Sequence, residues 1–271
     1  MSTGASFDVG FARDDDDLKE AQRLRYDVFI DELGGSGAMV DHDARLERDA
    51  LDPHYKHLLL WDRSRAAGQQ VVGVYRVMDD RTAAQIGGFY TEAEFDISRL
   101  KSSGRRLLEL GRSCLHRDYR GGAGMYHMWA ALAAHVKAQQ IEVLFGTASF
   151  FGTDVQALAQ SLSLLHHRHL TPAPLRPRAR DAQFQRMDLV PPEALDRRAA
   201  VLQVPALIKA YLRLGGTVGE GAYIDHAFKT IDVCLVMDTQ RMNARQTALY
   251  TRDDVQLRDG GPAAGSAERD Q

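Results

Sequence analysis

Glu109 and Arg112 stand three residues apart in LELGRSCLHRDYRGGAG, Leu108 to Gly124, an apolar segment that runs into a glycine-rich turn. A carboxylate placed there can take a proton from an attacking nucleophile, and a guanidinium can grip a substrate carboxylate through two hydrogen bonds. On a regular strand the two side chains would face opposite ways, because successive residues alternate. Gly111 between them offers a bulge, which would shift the register and bring both towards one face. The plain alternative is a structural ion pair at a sheet edge. The turn Arg120-Gly121-Gly122-Ala123-Gly124 opens a long helical pattern, so its backbone N–H groups and the positive helix end could hold one anion.

The elements that must position these groups read as an α/β chain. Phe7 to Arg13 reads as a short strand. The acids Asp14 to Asp17 then cap a helix whose apolar stripe is Leu18, Ala21, Leu24, Val28 and Phe29 and which Gly34-Gly35 ends. Residues 35–53 are polar and acid-rich, too long for a plain connection, so they are either disordered or part of a binding surface. HLLLW (57–61) and VVGVYRVM (71–78) read as a hairpin. A strand at 107–116, a helix at 123–140 and a strand at 141–150 follow, an order that implies a parallel or splayed neighbour pair. A helix runs from 153 or 154 to about 169. Residues 171–198, rich in proline and arginine, read as an excursion over the surface. A helix at 205–214 and a strand at 230–238 close a single domain spanning 1–250, and 251–271 read as a disordered tail.

Composition excludes several function classes. A net charge of −3 over 271 residues gives no basic field for nucleic acid. No run of 18 apolar residues occurs, and MSTGASFDVG lacks the basic and apolar regions of a signal peptide, so a cytoplasmic protein is expected. Cys114 and Cys234 lie in apolar runs and read as buried thiols. His166, His167 and His169 have no carboxylate at ligand spacing, and no metal is expected. With Arg168, Arg176, Arg178, Arg180 and Arg186 these histidines form either a basic docking patch or a solvated loop.

Together with LRYDVF (24–29), DPHYKHLLL (52–60) and GVYRVM (73–78), the stretch 108–124 resembles the GNAT acyltransferase superfamily. GGFYTEAEFDISRL (87–100) and VPALIKAYLRLGGTVGEGAYIDHAFKTIDVCLVMD (204–238) resemble the L-ornithine Nα-acyltransferases, which make lyso-ornithine lipid. Key positions are also similar to those of acyl-homoserine-lactone synthases. The resemblance implies a GNAT-like twisted mixed sheet flanked by helices, with a C-terminal helix-strand extension. Its central strands, 107–116 and 141–150, would splay to admit a pantetheine arm.

The resemblance also carries roles to positions. Arg25 and Phe29, in an Arg-x-x-x-Phe pattern, border the active site. Asp49, Asp52 and Arg76 belong to the acceptor's surroundings, and Glu109 with Arg112 matches a Glu-x-x-Arg pair. Glu109 is the candidate base for an α-amine. Arg112 or Arg76 would grip the acceptor's carboxylate or clamp the catalytic acids. Asp49 or Asp52 would hold ornithine's distal ammonium, or belong to a solvated acidic loop. Where the superfamily has Q/R-x-x-G-x-G/A, this chain has Arg120-Gly121-Gly122-Ala123-Gly124-Met125. That looser phosphopantetheine cradle suits the single phosphodiester of acyl carrier protein. The tryptophan expected soon after Phe29 is absent, with Leu33-Gly34 in its region.

The expected reaction is direct transfer of a (3-hydroxy)acyl chain from acyl carrier protein to the α-amine of ornithine, without an acyl-enzyme. No cofactor is expected beyond the carrier's phosphopantetheine arm. The membrane-soluble product adds peripheral contact at the inner membrane. Another acceptor (glycine, glutamine or an S-adenosylmethionine-derived lactone) or a non-catalytic acyl-carrier or lipid-binding module stays open.

Overall fold

The computed structural model describes residues 5–242, so the tail expected at 251–271 lies outside them. The strands are β1 (Phe7–Phe11), β2 (Lys56–Asp62), β3 (Val71–Asp79), β4 (Phe95–Asp96), β5 (Leu107–Leu115), β6 (Val143–Phe151), β7 (Arg178–Ala179), β8 (Phe184–Gln185), β9 (Thr217–Val218), β10 (Ala222–Asp225) and β11 (Thr230–Asp238). The helices are α1 (Asp15–Arg25), α2 (Asp80–Ile86), α3 (Ser98–Ser102), α4 (Gly124–Ala138), α5 (Ala159–His169), α6 (Arg197–Gln203) and α7 (Ala206–Arg213). The main sheet runs β1-β2-β3-β5-β6-β11-β10-β8, with β9 paired to β11. Every pair is antiparallel except β5 with β6, which the crossover helix α4 makes parallel.

Helices cover both faces, which is why HLLLW is apolar without interruption. Leu58 and Leu60 pack with Met128 and Trp129 of α4, whereas Leu59 and Trp61 pack with Ala21 and Leu24 of α1. Asp14 starts α1 by accepting the N–H groups of Asp16 and Asp17. The expected helix does not stay α to Gly34; from Tyr26 to Glu32 it widens into a π-helix, a form frequent at functional sites. Gly35 then donates to the Phe29 carbonyl at 2.9 Å, and a Cβ there would lie 2.8 Å from both that oxygen and the Phe228 ring.

Two features of β5 make the site. Its ladder with β6 has three rungs, Leu107↔Val143, Leu108↔Leu144 and Glu109↔Phe145, and stops although both strands continue. At the apex a Cβ on Gly146 would stand 2.0 Å from the Leu110 carbonyl oxygen, so only glycine permits that approach. The bulge expected at Gly111 falls one residue later. Gly111 stays in the ladder opposite Arg76, and Val74 pairs with Cys114, so Tyr75 alone opposes Arg112 and Ser113. Arg112 adopts φ 47°, a left-handed backbone that ion pairs of its side chain offset.

Two other expectations are corrected. α5 starts at Ala159 instead of 153 or 154, because Asp154 first closes a separate turn by accepting the N–H groups of Gln156 and Ala157. The segment 171–198 is no loose excursion: β7 pairs with β4, β8 extends the main sheet beside β10, and Ala179 and Met187 are buried. No helix among the described residues is long and apolar enough to cross a membrane.

Candidate active site

Beyond the last β5–β6 rung the strands enclose a cleft of about 550 Å³. Leu110 to Leu115 form one wall and Gly146 to Ser149 the other, while Trp129, Leu207, Ile208, Tyr211 and Met237 make an apolar floor. Glu109 sits at the apex. Its carboxylate accepts the Thr91 N–H at 2.6 Å, the Tyr90 N–H at 3.2 Å and the Tyr55 hydroxyl. These donors fix the carboxylate against the cleft, and they also anchor the turn Tyr90–Ala93. Burial and the neighbouring Glu109 charge push the Tyr55 hydroxyl well above the usual phenol range, so it stays a donor.

Arg25, Arg76 and Arg112 alternate with Asp52, Asp49 and Glu47 in a closed ring of six charges. Arg25 reaches Asp52 at 2.7 Å, Asp52 meets Arg76 at 2.8 Å, and Arg76 meets Asp49 at 2.7 Å. Asp49 lies 3.1 Å from Arg112, which lies 3.3 Å from Glu47, and Glu47 closes the ring on Arg25. The acids come from the 35–53 segment, which is therefore ordered and built into the site. Each ion touches two of the opposite sign, an arrangement that offsets the cost of removing them from water. Burial opposes the ionisation of Asp52, but Arg25 and Arg76 outweigh it and hold its pKa well below the ordinary carboxylate range. Asp49 is lowered in the same way against its own burial, by Arg76 and Arg112.

Arg76 and Arg112 both clamp acids and both line the cleft, and Arg112 stacks 4.8 Å from the Tyr90 ring. Asp49 and Asp52 do not line the cleft; guanidinium groups already occupy their carboxylates, so they are not placed to hold a substrate ammonium. Of the Arg-x-x-x-Phe pair, Phe29 lines the cleft, whereas Arg25 does not and is held in the ring by Glu47 and Asp52. Arg120 is tied to Glu32 at 2.9 Å and to the Leu115 carbonyl at 3.0 Å. The backbone of Gly121, Gly122, Ala123 and Gly124 leads into α4, whose first turn leaves N–H groups without helical acceptors. In the arginine-rich segment, Arg178 pairs with Asp181 and Arg186 with Asp188, which reduces its net positive charge.

Sequence reasoning missed Glu47, Tyr55, the 90–91 turn and a second acidic group. Glu94, Asp225 and Asp232 bring carboxylate oxygens within 4.8 Å of one another on the β6–β11 side of the cleft. Burial, then the Asp232 and Asp225 charges, push Glu94 up to about 8, and burial pushes Asp232 up to about 6. Glu94 thus binds its proton more tightly folded than unfolded, where its value is 4.5. Its contribution to stability is present below about 4.5 and is lost as pH rises through about 8. The melting temperature of the free protein is expected to fall between pH 5 and pH 8.5, and Glu94→Gln to flatten that fall. An unchanged slope in the variant would count against it.

Cys114 also lines the cleft, but burial pushes its thiol up to about 12, and Cys234 is raised too; both are free and buried. Neither is a ready nucleophile at neutral pH.

Comparison with known proteins agrees with this geometry. A sequence profile for the acetyltransferase (GNAT) domain matches residues 24–130. The L-ornithine N(alpha)-acyltransferase of Rhodobacter capsulatus is 57% identical over 249 residues, covering 91% of this chain and 95% of that protein. The protein of the same name from Brucella abortus is 37% identical over 249 residues, covering 90% and 89%. Among solved structures, FeeM, an N-acyl amino acid synthase from uncultured soil microbes, matches with a TM-score of 0.52 at 10% identity, over 87% of this chain and 92% of that one. BjaI, a CoA-dependent acyl-homoserine lactone synthase, matches with a TM-score of 0.50 at 14% identity, over 94% and 92%. At such identities these two likenesses concern the fold.

Proposed function

This chain belongs to the L-ornithine N(alpha)-acyltransferase family, and we propose that it moves an acyl chain from the pantetheine thioester of acyl carrier protein to the α-amine of ornithine. The observation that carries the reading is the opening between β5 and β6 with Glu109 at its apex. The pantetheine arm enters the V, its phosphate on the N–H groups of 121–124. The acyl tail lies along the apolar floor by Trp129 and Tyr211.

Glu109, directly or through one water, takes a proton from the α-ammonium, and the neutral amine attacks the thioester carbonyl. N–H groups on the strand edges facing the gap stabilise the oxyanion, because those edges are outside the ladder. A C–N bond forms as the C–S bond breaks. The amine's second proton goes to the departing thiolate, leaving the amide and the free carrier thiol. No acyl-enzyme and no bound cofactor are needed. A cytoplasmic carrier as donor and a bilayer-soluble product imply work in the cytoplasm with peripheral contact at the inner membrane.

Purified protein with acyl-carrier thioester and a panel of amines tests this. The ornithine amide is the expected product. Turnover of glycine in place of ornithine would refute the acceptor, and equal efficiency with acyl-coenzyme A would refute the donor.

A further inference from the structure

The ring of six charges leaves no acid free for a basic side chain, whereas the cleft contains, besides Glu109, three acids that no arginine or lysine among the described residues pairs by a salt bridge. Glu94 follows the turn that Glu109 anchors, and the Thr147 hydroxyl donates to it at 3.3 Å. Asp232 stands on β11 opposite Ser149 of β6, and Asp225 ends β10 opposite Thr230. Asp232 is 3% exposed, and its Oδ1 is buried with no hydrogen-bond donor. An orphaned carboxylate oxygen in a substrate cleft calls for a donor that arrives with the ligand. Across the cleft stands Arg112.

Resting on the acyltransferase reading above, we propose that Glu94, Asp225 and Asp232 form the subsite for the distal ammonium of the acceptor amino acid. An alkylammonium carries three N–H donors and one charge, which three converging carboxylates can match. Burial and the neighbouring acids raise Glu94 to about 8, so it holds a proton at neutral pH. The arriving ammonium replaces that proton, while the α-amine extends towards Glu109. An acceptor with an uncharged side chain leaves the acids buried and unpaired, so the subsite selects as well as binds.

The test is steady-state acylation of ornithine and of norvaline, which has the same carbon chain without the ammonium, by the full chain and by Asp232→Asn and Glu94→Gln. Both variants are expected to raise KM for ornithine about 10- to 100-fold, the loss typical of a charge-assisted hydrogen bond. The ratio of kcat/KM for ornithine over norvaline should collapse, with KM for the acyl donor unchanged. Calorimetric titration with ornithine should show the same weakening, apart from turnover.

Equal loss on both acceptors would overturn the proposal, since it would mean a catalytic or purely structural role. So would activity that chelation abolishes and manganese restores, since the trio would then be a metal site. Failure of the unmodified protein to acylate ornithine sinks the parent reading instead. Normal acylation with unchanged discrimination in the variants sinks only the subsite.

Discussion

Glu109→Gln is expected to lower kcat by about 10²- to 10⁴-fold, the usual contribution of a positioned general base. The substitution keeps shape and an acceptor oxygen for the Tyr90 or Thr91 N–H, so the turn at 90–93 remains anchored by part of its bonds. It removes the capacity to take a proton at the one place where paired strands give way to the open cleft. On the proposed reading the donor is held by the 121–124 backbone and the apolar floor, away from Glu109, so its KM should change little. The loss should shrink for acceptor amines that are already unprotonated at the assay pH, which a positional disturbance would not produce. Retention of more than a tenth of the original kcat would remove Glu109 from the mechanism. Loss on ornithine and weakly basic amines alike would reassign it to holding the turn.

Arg25→Met is expected to destabilise the fold by about 3–5 kcal/mol, the cost of leaving buried charge unpaired. At ~2–4 °C per kcal/mol for a domain near this size, that is roughly 6–20 °C in melting temperature. Methionine fills similar length, so the loss reports on charge more than on a void. Arg25 is fully buried between Glu47 and Asp52, and among the described residues no other cation pairs with both. Removing it leaves a ring of two cations and three anions, and frees Glu47 to pull Arg112 from its position on the cleft wall. The depressed values of Asp49 and Asp52 mean that the ring's contribution is present above their unfolded value of 3.8 and is lost as pH falls. The unmodified protein and the variant should therefore converge in stability towards acid. A loss below about 1 kcal/mol at pH 7 would show the ring to be energetically idle.

Local pattern determined much of this protein by itself. The largely apolar runs of β2, β3, β6 and β11 call for burial on both faces, and the period of α4 and its glycine-rich entry call for a helix that starts at a bare N-terminus. Hence the strand–helix–strand unit and the glycine-rich entry to its helix are legible without coordinates. What only tertiary structure decided is which charges meet. Arg25, Arg76 and Arg112 lie on three different elements, and Glu47, Asp49 and Asp52 on an irregular segment without periodicity, so nothing local announces a closed ring. Glu94, Asp225 and Asp232 are separated by up to 138 residues and converge because β6 pairs with β11 and the 90–93 turn hangs from Glu109. Whether an acid serves structure or substrate depends on the cation nearest in space. Local sequence does not encode that distance, whereas the packing of the sheet does.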